Sequence, residues 1–312
     1  KFDICFSHSS SSFTSLLLLI FSRFLPFNLV VDSHMHFVAH KKTKTTKIYY
    51  FFLRLINKYL VSKKVIYFGV TKESCEFLRI KESVRENQIK LLPIGFSYEV
   101  FKVPKILKNF YAIRKNIRKY LGIKDEDILI MQTGKLSTDK RPDLTIQASS
   151  FNLKRKKGHI LFLGPYSQNE KIALKKLFNE IKKDNWELRF LKNVEFSKLR
   201  DYFLACDFLS YPGGATLSCI EGAASGCKSI VSYTPEGKSR AKLGISEIPN
   251  NETDKSFIEC LHKVIYKIES EFKEIKQIHN ESLFISNIVK EFSYKRVSDI
   301  LIKDIGSIYK KT

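Results

Sequence analysis

Residues 207–232 read DFLSYPGGATLSCIEGAASGCKSIVS: a short apolar strand, a glycine-opened turn, a helix start carrying Glu221, then a second strand. That order places a carboxylate and several backbone N–H groups without helical partners at one strand end. A helix start presents unpaired donors and the positive end of the backbone dipole, so the turn at Gly213, Gly214, Ala215 and Thr216 suits a phosphate. Ser218 and Glu221 also have the spacing of a capping box, so the same stretch fits a helix start closed on its own glutamate. Beyond Glu221, Gly222, Ala223, Ala224, Ser225 and Gly226 leave one helix face bare enough to lie close to a strand or a ligand. Cys227 to Tyr233 then returns as an apolar strand.

Such a turn needs a sheet behind it. Strand-like apolar runs recur at 2–7, 28–33, 65–70, 89–94, 127–133, 159–163, 187–191, 207–211 and 228–233. Helical stretches lie between them at 12–24, 106–120, 142–151, 169–183, 196–205 and 217–226, and another follows at 254–272. Pro142 sits at a first-turn position, where its missing N–H costs nothing. Alternation of this kind predicts parallel sheets with helices on both faces. Gly95 and Pro104 interrupt the pattern, placing a domain boundary between 95 and 120, and from about residue 254 the chain is almost wholly helical. No repeat of roughly 20–50 residues is visible, which excludes a solenoid.

The 312 residues are 44% hydrophobic, enough for the cores of one large or two medium domains. The formal charge is +22, and it is unevenly spread: residues 38–64 hold eight Lys/Arg and no acid, while 101–157 hold fifteen against five. Such surfaces attract nucleic acid, anionic lipid headgroups or phosphorylated small molecules. No recognised nucleic-acid motif accompanies the lysines, so nucleic acid is not the expected partner. At 47–64, KIYYFFLRLINKYLVSKK interleaves aromatics and leucines with lysines. That pattern fits a helix lying in a membrane interface and equally a buried helix with snorkelling lysines.

The six cysteines form no C-x-x-C pair, which reads as structural thiols in a reducing, cytoplasmic compartment. No zinc spacing appears among them or the seven histidines. The apolar stretch from Phe13 to Val31 is broken by Arg23, Pro26 and Asn28, short of the ~18 uninterrupted residues a membrane span needs. Asp3 spoils the charged start of a signal peptide.

The 207–232 block resembles the C-terminal signature of retaining family 4 glycosyltransferases, which have the GT-B fold. In that family the stretch holds two glutamates separated by seven residues, then small residues and a Gly-x-Pro-Val strand start. Glu221 matches the second glutamate; Gly213 stands at the first and Lys228 at the proline. Residues 127–143, DILIMQTGKLSTDKRPD, are similar to the family's strand and loop that carry an arginine and, five residues later, a lysine on the donor diphosphate. Lys135 and Lys140 occupy those positions. VTKESCEFL at 70–78 and KLLPIGFSYEVF at 90–101 resemble the end of the N-terminal domain and the crossing to the next. EFSYKRVSDILIKDIGSIY at 291–309 looks like the closing helix.

The resemblance implies an α/β fold of GT-B architecture, two Rossmann-like parallel-sheet domains facing a cleft. Residues 1–100 would form the acceptor-side domain, 101–290 the nucleotide-sugar domain, and 291–312 a helix packing back toward the first. Only about 100 residues precede the boundary and the family's opening glycine-rich loop is absent, so the N-terminal domain is expected to be incomplete. The implied reaction is transfer of a sugar, with retention, from a UDP- or GDP-sugar to a glycan or lipid-linked acceptor, at the inner face of a membrane. Lys135 and Lys140 would hold the diphosphate, with Gly134, Gly213, Gly214, Ala215, Thr216 and Leu217 around the donor and Glu221 on the ribose. Two lysines and a helix terminus already supply the positive field, so neither a metal nor a cofactor is expected. His34, in VVDSHMHF, matches the family histidine that faces the transferred sugar; His36 is the alternative and Asp32 the orienting partner. Gly213, where relatives have a sugar-contacting glutamate, leaves a second expectation open: a relative that binds a nucleotide sugar without transferring it.

Overall fold

The apolar runs become strands, the inner ones buried on both faces, and most segments between them become helices opened by Ser or Thr caps. The computed structural model describes residues 3–35, 37, 43–271 and 273–309. The chain divides into one unit of Lys1–Gly95 with Tyr294–Thr312 and another of Phe96–Ser293.

In the smaller unit the order is β1 (Ile4–Ser7), α1 (Phe13–Phe21), β2 (Asn28–Ser33), α2 (Lys44–Leu55), β3 (Ile66–Gly69), α3 (Lys72–Ile80) and β4 (Ile89–Leu91). All four strands are parallel and lie in the order β1-β2-β3-β4. Ser12, Thr43 and Thr71 cap α1, α2 and α3 by accepting the amide three residues on, which satisfies a donor the helix start would otherwise leave bare. Alternate strand residues serve opposite faces. Leu29, Val31 and Tyr67 pack with Leu19 and Leu78 from α1 and α3, while Val30, Ile66 and Phe68 form the other face.

The larger unit runs α4 (Tyr98–Phe101), α5 (Leu107–Tyr120), β5 (Ile128–Thr133), α6 (Pro142–Ile146), β6 (Gly158–Leu163), α7 (Gln168–Ile181), β7 (Trp186–Leu191) and α8 (Phe196–Ala205). It continues through β8 (Phe208–Tyr211), α9 (Leu217–Ala224), β9 (Ser229–Val231), α10 (Pro235–Lys242), β10 (Ser246–Glu247), α11 (Asp254–Ser270) and α12 (Ile275–Ile288). Helix α13 (Tyr294–Tyr309) returns to the smaller unit, where Leu301 and Ile305 cover Val30, Ile66 and Phe68. The six parallel strands of the larger unit have the order β10-β9-β8-β5-β6-β7. Leu129 and Met131 face one buried cluster and Ile128 and Ile130 the other, as expected of a sheet covered on both sides.

Several expectations need correction. The 142–151 helix is α-helical only to Ile146 and continues as a 3-10 turn, and α10 and the two-residue β10 were not anticipated. The basic helix 106–120 is not wholly a solvated surface: Arg114 and Arg118 are buried beside Asp207, with ion-pair distances of 2.6 and 3.4 Å. Burial pushes the Asp207 carboxyl up, but the Arg118 and Arg114 guanidiniums outweigh it and hold the group below its ordinary range. Among the described residues no helix is long and apolar enough to cross a membrane, and all six cysteines are free thiols.

Candidate functional site

Open parallel sheets bind ligands beyond the carboxyl ends of their strands, where helix N-termini converge. Several candidate residues directly follow such ends. Gly134 and Lys135 follow β5, Gly213 to Leu217 follow β8, and His34 follows β2.

In the larger unit, β5 and β8 are neighbours whose ends are tied by a 2.7 Å bond between the Thr133 and Tyr211 hydroxyls. Just beyond, Gly134 (φ +102) and Gly214 (φ +121) hold positive φ, and a Cβ at either would meet nothing within 4 Å. Their backbone borders open space. Gly213 is the opposite case: a Cβ there would run into the Asp139 carbonyl oxygen and lie 2.6 Å from Lys140 Cα. The glycine therefore lets the turn before α9 press against the Lys140 segment, which brings two of the predicted parts together.

That segment is held from beneath by buried polar groups that sequence reasoning missed. Gln132 Nε2 donates to the Lys140 carbonyl at 2.9 Å, and Gln132 Oε1 accepts from Thr145 Oγ1 at 2.6 Å. The Ser210 hydroxyl lies 2.8 Å from the same Thr145 oxygen. The available signal was a lone glutamine inside the apolar run DILIMQT. Lys140 itself is half-exposed, its Nζ 3.5 Å from Asp139 Oδ2. Lys135 is exposed and lies toward the start of α7. There the Ser167 amide and hydroxyl, and after them the Lys135 charge, hold the Glu170 carboxyl below its usual value.

Helix α9 starts at Thr216, whose N–H donates to Cys219 Sγ at 3.4 Å. Ser218 lies inside the helix rather than at its cap, which overturns the capping-box reading of Ser218 and Glu221. Glu221 sits one turn further in and is only 7% exposed. Burial pushes its carboxyl up, and the Ser218 hydroxyl works against that shift. The bare face after Glu221 serves packing: a Cβ at Gly222 would strike the Leu209 side chain of β8. The turn before α9 and the Lys140 segment thus meet beyond two neighbouring strand ends, with a buried carboxylate one turn into the helix. The first two suit a diphosphate, and a carboxylate can accept from two neighbouring hydroxyls at once.

In the smaller unit, His34 is 43% exposed at its side chain, with Nε2 3.4 Å from Asp32 Oδ2, as an orienting carboxylate would place it. His36 lies outside the described residues. Sequence reasoning missed His8, whose Nδ1 is 2.7 Å from the same Asp32 oxygen. The signal was present: β1 and β2 both end in Ser-His, and their register pairs Ser7 with Val31, which brings the next residues, His8 and Asp32, level.

No family model and no curated protein matches the chain. Solved structures do. Anabaena HepE in complex with UDP superposes with a TM-score of 0.71 at 13% identity, covering 98% of this chain and 79% of that one. A glycosyltransferase from Rickettsia africae ESF-5 gives 0.75 at 14% identity over 99% and 78%. Sucrose-phosphate synthase from Thermosynechococcus elongatus gives 0.70 at 12% over 100% and 75%. The chain has the GT-B fold. Its two parallel-sheet units are the Rossmann-like halves of that architecture.

The larger half of this GT-B chain also holds a cavity of about 1010 Å³, lined by Asp127, Phe208, Cys227 and Ser229 among others. It opens at the opposite, N-terminal ends of β5, β8 and β9. Helices present carbonyls and the negative dipole end there, and Ser225 and Gly226 at the end of α9 do so here. A diphosphate is disfavoured in that field.

Proposed function

We propose that this chain is a retaining glycosyltransferase that moves a sugar from a UDP- or GDP-sugar to a glycan or lipid-linked acceptor without a metal ion. The observation that carries the reading is the packing of Gly213 on the Lys140 segment. It brings the segment that carries Lys140 against the turn before α9, and Glu221 is buried one turn into that helix. HepE, whose structures hold UDP and UDP-glucose, supports the choice of donor class.

In this mechanism negative charge grows on the β-phosphate as the sugar–phosphate bond stretches. Lys140, Lys135 and the amides from Gly214 to Leu217 stabilise that charge, and losing one such donor typically costs ~3 kcal/mol in rate. Gly134 lets the backbone approach the donor, and Glu221 accepts both ribose hydroxyls. His34 serves the transferred sugar by bonding one of its hydroxyls. The test is hydrolysis and transfer of UDP- and GDP-sugars by wild type, K140A and E221A, with circular dichroism checking the fold. Both variants should lose roughly 100-fold or more in rate; unchanged activity in both overturns the assignment.

A second reading rests on Gly213 itself. Where the resembled family carries a sugar-contacting glutamate, this chain has no room for a side chain, which favours a relative that retains the nucleotide sugar without turnover. Nucleotide binding by titration calorimetry with no hydrolysis or transfer would decide for it.

A lipid-linked acceptor fits one surface feature. On α2 and the turn after it, Ile48, Phe51, Phe52, Leu55 and Tyr59 are exposed at helical spacing, flanked by Lys44, Lys47, Lys58, Lys63 and Lys64. An apolar stripe with basic flanks is the pattern of a helix lying on anionic headgroups. Sedimentation with vesicles containing phosphatidylglycerol should capture the wild type. The F51D/F52D variant should be captured several-fold less; equal capture removes the membrane from the reading.

A further inference from the structure

We propose that His8, Asp32 and His34 form a binding site for one divalent transition-metal ion of the zinc class, at the carboxyl ends of β1 and β2. Two imidazoles and one carboxylate converge there, with ligand atoms all within 4.8 Å of one another.

The site is built rather than incidental. Asp32 is 8% exposed, and its two oxygens have separate duties. Oδ1 accepts the Ser9 N–H at 2.6 Å, while Oδ2 lies 2.7 Å from His8 Nδ1 and 3.4 Å from His34 Nε2. The next amide, Ser10 N–H, donates to the Asp32 carbonyl at 2.8 Å. Two consecutive amides therefore fix the loop carrying His8 against the strand carrying the other two ligands. The imidazole rings meet edge to face with centroids 5.0 Å apart, so they converge without stacking.

Ligand chemistry selects the class of ion. Ligands about 2.0–2.2 Å from a zinc-like ion lie ~3 Å apart, which small rotations of exposed side chains would reach from these separations. Imidazole nitrogen with a single carboxylate suits Zn²⁺, Co²⁺ or Ni²⁺, whereas Mg²⁺ and Ca²⁺ demand oxygen donors. Three protein ligands leave positions for water, and the exposure of both histidines leaves the ion a route in.

One consequence rests on the reading proposed above. If His34 serves the sugar, an ion on its Nε2 withdraws it, so the metal inhibits transfer rather than assisting it.

The test uses the full chain with any affinity tag removed. Titration with Co²⁺ should develop the visible absorption of an imidazole-bound site, saturating at one ion per chain and displaced by Zn²⁺. H8A, D32N and H34A should each weaken binding by at least about tenfold, since even losing a partner of a ligand costs 10–100-fold. H262A, in the larger unit, should not. H8A is the decisive variant, because His8 is 73% exposed and its loss spares the fold. No Co²⁺ spectrum, or binding unchanged in H8A, overturns the site. Zn²⁺ inhibition reversed by a chelator upholds both the site and the role of His34. Binding with no effect on transfer upholds the site and removes His34 from the sugar.

Discussion

The two units hold their candidate groups by opposite means. In the larger unit the backbone makes the site: positive-φ glycines, a helix terminus, and a segment anchored through its own carbonyl to Gln132. In the smaller unit the side chains do so, through one buried carboxylate that gathers two histidines. The shape of a backbone site fails when the packing beneath it shifts, even with its exposed lysines intact. A side-chain site fails when a single contributing side chain is removed.

The strongest way to break that contrast is to loosen the scaffold of the larger unit. Asp207 is fixed by Arg114 and Arg118 and accepts the Leu129 amide at 2.7 Å, joining α5 to the starts of β5 and β8. D207A leaves two buried guanidiniums uncompensated and should cost ~3–5 kcal/mol in urea unfolding. A loss below about 1 kcal/mol would mean those arginines find water instead.

Next in size is G213E. Its Cβ has no room beside Asp139 and Lys140, so the segment must move, with overpacking worth ~1–3 kcal/mol. UDP affinity measured by calorimetry should fall about tenfold or more, and G213A should show a smaller loss of the same sign. Affinity retained in G213E would show that the backbone contact is not what shapes the site.

A third measurement sharpens the description of the smaller unit. Glu82 is buried there, with Ser10 Oγ donating to one oxygen at 3.1 Å and the other lacking a partner among the described residues. Burial pushes its carboxyl up to about 8, against the pull of the Ser10 hydroxyl. The folded chain thus keeps a proton that the unfolded chain releases at an ordinary glutamate pKa. Stability contributed by this group is full at low pH, declines from the ordinary glutamate range up to about pH 8, and is level above. The slope is at most ~1.4 kcal/mol per pH unit. E82Q should flatten it, so urea midpoints at pH 5 and pH 8 differ less than in the wild type; an unchanged difference would show that Glu82 is charged throughout.

Much of the fold was legible because both sheets are parallel and doubly covered, which makes their strands plain apolar runs. Nine strand positions followed from that alone, while Ser246–Glu247 was invisible because two polar residues between Ile245 and Ile248 make no apolar run. The glycine turn and Glu221 could be located because their conformational demands are local. Arg114 was not legible as a core residue, since what turns it inward is Asp207, 93 positions away. Gln132 was hidden because its partners, Lys140 and Thr145, are met only once the segment after β5 folds back onto the strand, and His8 because its partner Asp32 is set by the pairing of β1 with β2.

The tight seat of Gly213 carries an implication for descent. Once residues 139–140 have settled onto a glycine here, a single change to any larger residue meets a blocked path. A side chain could enter only after a permissive change in the facing loop. The order of mutations, and not selection at this position alone, would then decide which residues remain open to descendants of this chain.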